Sequence, residues 1–195
     1  MTSTRKGERR RHALVAAAAA LLREGGLEAV RHRAVAVRAG VPLAATTYYF
    51  ASLDELVTSA AEFAAAEANQ AIEKHVAAVA RRSRSAETLT DLLVEVLVGE
   101  SGAGGTLALH YEQHSAVTRH PELRDIQLRM RMNLRHAISE LLERSGRTAD
   151  AANVRAIDAL IAGAVLDAVL DEPPDASAAV RAVLGMVIDQ LAPPV

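Results

Sequence analysis

Cysteine is absent from the chain, which excludes disulfides, thiol nucleophiles and cysteine-ligated zinc. Tryptophan is absent too, and aromatics are scarce, with two Phe and three Tyr in 195 residues. Strand formers are therefore thin, while half of the residues are apolar and Ala, Leu and Val dominate. That balance predicts helices throughout. No run approaches the roughly 20 apolar residues needed to cross a bilayer. Arg9-Arg10-Arg11 followed by the alanine-rich stretch 13–22 imitates the first parts of a secretion signal. It leads, however, into Arg23-Glu24-Gly25-Gly26 without a small-x-small cleavage site. A reducing, cytoplasmic setting is expected.

Net charge is only −2, which on average argues against a polyanionic partner. The average conceals an asymmetry. Residues 1–50 carry nine Lys and Arg against three acids, a net of +6, and the remaining 145 residues a net of −8. One end is suited to meet a polyanion and the rest to stay off it.

Residues 1–8 lack apolar periodicity and are expected as a flexible basic arm. Leu14, Ala18, Leu21 and Leu22 then share one face of a helix over 9–24 that Gly25-Gly26 ends. A short helix over 31–39 stops at Gly40, and Pro42 opens a third. Two apolar helices about a glycine-containing turn outline a helix-turn-helix. Ser52-Leu53-Asp54-Glu55 reads as a capping box that starts a long helix to about residue 80. Further helices are expected over 86–98, 106–118, 120–144, 148–170 and 175–191, with the glycine-rich stretch 99–105 as a loop. In the helix over 120–144, Leu123, Ile126, Met130, Leu134, Ile138 and Leu141 point inward and Arg124, Arg131 and Arg135 mostly outward. The expected fold is all-α with about nine helices: a three-helix head at 9–51 and a larger helical domain at 52–195.

The last two helices are unusually apolar. Val154, Ile157, Ile161, Ala164, Val165 and Ala168 line one, and Val180, Val183, Leu184, Val187, Ile188 and Leu191 line the other. Stripes this wide fit a subunit interface, or else helices central to a monomer.

Residues 27–56, LEAVRHRAVAVRAGVPLAATTYYFASLDEL, resemble the DNA-binding domain of the TetR family of bacterial regulators. The resemblance rests on Gly26 closing the first helix, Val35-Ala36 in the second, Ala39-Gly40-Val41 at the turn, Tyr49-Phe50, Ser52, Asp54 or Glu55, and Leu56. It implies a dimeric, non-enzymatic, ligand-responsive regulator, read here as a repressor on a palindromic operator, with no cofactor and no metal. A recognition helix in the major groove needs short or hydrogen-bonding side chains so that its backbone comes close, and Leu43, Ala44, Ala45, Thr46, Thr47 and Tyr48 meet that need. Tyr49 is a further candidate contact, although it and Phe50 suit core packing as well. By resemblance, Arg31, His32 and Arg33 stand where family members touch phosphates and sometimes a base, with Arg33 suited to a guanine. Three positions depart from the family pattern: Leu53 replaces the usual phosphate-binding Lys, Thr46-Thr47 a Leu-Tyr pair, and Ala44 a common Gly.

The same resemblance implies an effector held between helices of the larger domain. Phe63, Leu93, Leu97, Leu107, Tyr111, His114, Met130 and Leu134 lie on faces expected to surround it. So few aromatics predict an aliphatic pocket and a small hydrophobic effector. The competing reading is a metal-binding helical protein or metal-dependent enzyme using His110 and His114, one turn apart. Glu112 is out of register with the zinc-protease motif, the 99–105 loop lacks the Lys of a phosphate loop, and no Gly-x-Ser-x-Gly elbow occurs.

Overall fold

The computed structural model describes residues 5–97, 117–168 and 175–195, and among these it is all-helical apart from one isolated β-bridge. The eight helices among the described residues are α1 (Arg5–Ala29), α2 (His32–Ala39), α3 (Leu43–Tyr49), α4 (Leu53–Ala78), α5 (Ala86–Leu97), α6 (Arg124–Arg144), α7 (Ala151–Ala168) and α8 (Ala176–Leu191). A 3-10 turn, Pro121–Leu123, leads into α6. The helix expected over 106–118 lies outside the described residues, save for its last two, which belong to a turn. No helix among the described residues is long and apolar enough to cross a membrane.

Helix α1 begins at Arg5, so residues 5–8 of the expected loose arm form its first turn. Nothing in that stretch breaks a helix except Gly7, and the interior of α1 propagates backward through it. The glycine pair acts as expected, since Gly25 and Gly26 leave helical geometry and Gly26 takes φ 64°. Gly40 closes α2 in the left-handed region at φ 65°, and its N–H and that of Val41 bond back to Val37 and Ala36. The capping box is present with a shifted return: the Glu55 N–H donates to Ser52 Oγ at 3.1 Å, and Glu55 Oε2 accepts from the N–H of Ala51, one residue before the N-cap, at 2.7 Å.

Packing divides the chain into two compact units. The first contains residues up to Glu67 together with 112–127. Its extent past residue 51 has a visible cause: Phe63 of α4 sits edge-on to His12, and Arg23 pairs with Glu67 at 2.6 Å. Helix α1 packs on α2 and α2 on α3. Leu14, Ala18, Leu22, Val30, Val35, Ala36, Phe50 and Leu56 are buried there, and the Arg11 guanidinium lies 4.9 Å from the Phe50 ring centroid. Phe50 is the largest fully buried side chain among the described residues. Phe50→Ala is therefore expected to destabilise this unit by about 3–5 kcal/mol, a loss that urea unfolding followed by circular dichroism would read.

The second unit contains 68–111 and 128–195. Its core joins Leu89, Leu93, Val94, Ile138, Leu141, Leu142, Ile157, Val180, Leu184 and Ile188, with α8 packed against both α5 and α7. Arginines tie its loops. Arg84 bonds to the carbonyls of Ala80 and Arg144, and Arg144 to that of Val79. Arg147, nearly fully buried, donates to Asp189 at 2.6 Å and to the Ala192 carbonyl at 2.9 Å.

Candidate nucleic-acid interface

The short helix α3 follows Pro42, whose fixed φ and missing N–H suit the entrance to a helix. Seven residues give it one face toward α2 and one toward solvent. Leu43, Ala44, Thr47 and Tyr48 are exposed, Tyr48 to 76%, and Ala45 and Tyr49 are half-buried. Tyr48 and Tyr49 meet edge to face, with ring centroids 4.9 Å apart. Thr46 departs from the expected surface position, for it is fully buried. Its hydroxyl donates to the Leu43 carbonyl at 2.8 Å, which satisfies the polar group inside the helix and leaves its methyl for the core. Two substitutions separate these roles. Tyr48→Ala is expected to change unfolding stability by less than about 0.5 kcal/mol. Thr46→Asp, which buries an unpaired charge, is expected to cost more than about 3 kcal/mol, and chemical denaturation checks both.

Beside α3, the basic residues around α2 divide into paired and unpaired. Arg31 donates to Glu28 at 2.6 Å, and Arg38 pairs with Glu24. Arg33 is exposed and has no hydrogen-bond or ion-pair partner among the described residues. His32 is half-buried, with Nδ1 lacking a partner. Arg5, Lys6, Arg9 and Arg10 are exposed on the opening turns of α1. Leu53, where the resemblance leads one to expect a lysine, is half-buried at the start of α4.

The residues expected around an effector fall in different places. Phe63 belongs to the first unit, whereas Leu93 is fully buried and Met130 and Leu134 are half-buried in the second. Leu107, Tyr111 and His114 lie outside the described residues, as do His110 and the side chain of Leu97. Two clefts described in the second unit are lined by none of Leu93, Met130 and Leu134. His120, the third histidine near the pair at 110 and 114, turns to Glu122 at 3.1 Å. The Glu122 carboxyl is held below its ordinary range by its own backbone N–H and then by His120.

The expected interface residues divide by burial within their own chain. Val154, Ile157, Ile161, Ala164, Ala168, Val180, Leu184 and Ile188 are buried by their own chain, and Val165, Val183 and Val187 are half-covered. The buried ones form core because α7 and α8 pack on each other and α8 on α5, which uses up most of the wide stripes within one chain. The outer faces carry different residues: Ala159, Gly163 and Leu166 on α7, and Ala182, Gly185 and Met186 on α8. Arg131 and Arg135, expected mostly outward, turn in to the buried Asp158.

A small trihelical head with an exposed third helix and free cations beside it defines a helix-turn-helix protein. Residues 14–60 match the model described as bacterial regulatory proteins of the tetR family, and residues 84–190 the one described as tetracyclin repressor-like, C-terminal domain. The chain therefore belongs to the TetR family of bacterial regulators, a family of non-enzymatic DNA-binding transcriptional regulators. It is similar to a transcriptional regulator from Streptomyces coelicolor A3(2), with 27% identity, TM-score 0.69, and 94% of this chain and 98% of that one covered. It is also similar to the multidrug binding protein EbrR, solved with proflavin, at 27% identity and TM-score 0.67, covering 91% of this chain and 99% of that one. A TetR-family regulator from Mesorhizobium loti MAFF303099, 15% identical, shares the fold at TM-score 0.72 over 98% of this chain and 100% of that one. None of the curated proteins matches the sequence.

Proposed function

We propose that this protein is a cytoplasmic, ligand-responsive repressor that binds a palindromic operator as a homodimer and leaves it when a small hydrophobic effector binds. The observation that carries the reading is the exposed row Leu43, Ala44, Thr47 and Tyr48 beside the unpaired Arg33. These side chains are short or hydrogen-bonding where a backbone must approach base edges, and Arg33 can chelate a guanine. Ala45 and Tyr49 flank the row, Arg31 and His32 stand at the start of α2, and the exposed arginines of α1 supply phosphate contacts that fix position without reading sequence. Residues 9–51 then read DNA, and 52–195 hold the effector and the partner.

The dimer reading rests on the outer faces of α7 and α8, where Leu166 is 40% and Met186 72% exposed beside alanine and glycine. Large exposed apolar side chains next to small ones allow two helices to approach closely. The effector reading draws support from EbrR, which binds proflavin, and from the aliphatic Leu93, Met130 and Leu134 on the helices of the second unit. Release requires only that the effector prefer the DNA-incompetent arrangement, with a coupling of about 1–3 kcal/mol typical.

DNase footprinting on the DNA upstream of the coding sequence tests the proposal. The expected result is two protected half-sites about one helical turn apart. Affinity no better than nonspecific, about 10⁻⁴–10⁻⁶ M at physiological salt, would overturn it.

A further inference from the structure

The seam between α6 and α7 is unbalanced in charge. Asp158, with its side chain 3% exposed, accepts the Nε–H of Arg131 at 3.0 Å and that of Arg135 at 2.7 Å on the same oxygen. One buried carboxylate thus faces two guanidinium groups. Beside them lies an open cleft of about 300 Å³, lined by Arg135, His136, Ser139, Val154 and Arg155, with Ala149 and Ala151 at its edge. No acid lines it. Of the nearby carboxylates, Glu140 holds Arg144 at 2.8 Å and Asp150 accepts the Asn153 N–H at 2.7 Å, while Glu143, one turn beyond Ser139 on α6, is exposed and does not line the cleft. Arg155 is exposed and has no hydrogen-bond or ion-pair partner among the described residues.

We propose that this cleft binds a small organic oxyanion, a carboxylate or phosphate group on a short apolar body. The chemistry follows from the lining. The planar forks of Arg135 and Arg155 match an oxyanion, the Ser139 hydroxyl and a His136 ring N–H supply further donors, and Val154, Ala149 and Ala151 cover the apolar part. The cleft is at the lower end of the size range of small-molecule sites, about 300–1,000 Å³. The doubled arginine is what makes the site workable. Arg131 alone keeps Asp158 paired, so Arg135 turns its terminal nitrogens to a ligand without stranding a buried carboxylate. The site is separate from the proposed hydrophobic effector lining, none of whose described residues borders the cleft.

The test is thermal unfolding of the full chain at constant ionic strength, with sodium hexanoate or inorganic phosphate replacing chloride. At about tenfold excess over Kd the bound anion is expected to raise Tm by about 3–5 °C. A shift with hexanoate alone assigns a carboxylate, a shift with phosphate alone assigns a phosphate group, and either supports the site. Arg155→Gln, a change at an exposed side chain, is expected to remove at least half of the shift, with an unchanged elution volume and an unchanged Tm in chloride. Ser139→Ala is expected to weaken the response further in the double variant. In histidine-labelled protein the His136 ring resonances should move with the anion and hold still in Arg155→Gln. No Tm shift with either anion, or an Arg155→Gln response equal to wild type, overturns the proposal.

Discussion

Replacing Gly185 with glutamate is expected to leave each chain folded and to split the proposed dimer. A Cβ built at Gly185 meets nothing within 4 Å, and the same holds at Gly163, so the chain itself has room for a side chain at both positions. Within a single chain, Gly163→Ala should even stabilise α7 by about 0.5–1 kcal/mol, because alanine loses less backbone freedom in a helix than glycine. The proposed partner reverses that sign. If the outer faces of α7 and α8 meet their copies there, a glutamate at 185 buries an unpaired charge in the contact, at a cost of about 3–5 kcal/mol. Dimer dissociation should then rise by at least about 100-fold. Sedimentation equilibrium reads the mass, and circular dichroism checks that helicity is retained. A Gly185→Glu protein that sediments as wild type, with Gly163→Ala more stable than wild type, would show both faces to be open solvent surface.

The head was legible because its signals are local and chemical. Gly26 and Gly40 adopt positive φ where a glycine is needed, Ser52 and Glu55 cap α4, and the turn at Ala39-Gly40-Val41 follows from nearest neighbours in the chain. Thr46 is buried where LAATTYY has no apolar rhythm to say which face is inside, and a threonine that bonds its own helix is as much at home in a core as a valine. The body was harder for another reason. Hydrophobicity marks what is buried but not by which chain. Ile157, Ile161, Leu184 and Ile188 belong to the core of a single unit, while the outer faces set Leu166 and Met186 among Ala and Gly, whose weak hydropathy draws no attention. Asp158 is a signal visible in the sequence. An acid inside an apolar stripe, opposite two arginines one turn apart on α6, is the pattern of a buried ion pair, and it turns Arg131 and Arg135 inward against their expected orientation.

Arg33→Ala is expected to weaken operator binding by about 10- to 100-fold per half-site and to relax the preference at one G·C pair, since a bidentate guanine contact is worth about 1–3 kcal/mol. The assignment to Arg33 follows from its neighbours: Arg31 is held by Glu28 and Arg38 by Glu24, so of these three only Arg33 reaches DNA without first breaking an ion pair. Arg10→Ala should behave differently. A phosphate contact carries no sequence information, so its loss should lower affinity evenly across sequences and flatten the salt dependence by about one counterion. For wild type, raising salt from 50 to 200 mM is expected to cost about 10³–10⁵ in affinity if the dimer makes six to ten phosphate contacts. Fluorescence anisotropy on operator and scrambled duplexes across that salt range separates the two residues. The local charge of +6 on residues 1–50 is what such a slope would measure, and the net charge of −2 conceals it. A shallow slope, or an Arg33→Ala protein with undiminished sequence preference, would mean that the exposed row on α3 reads its site without that arginine.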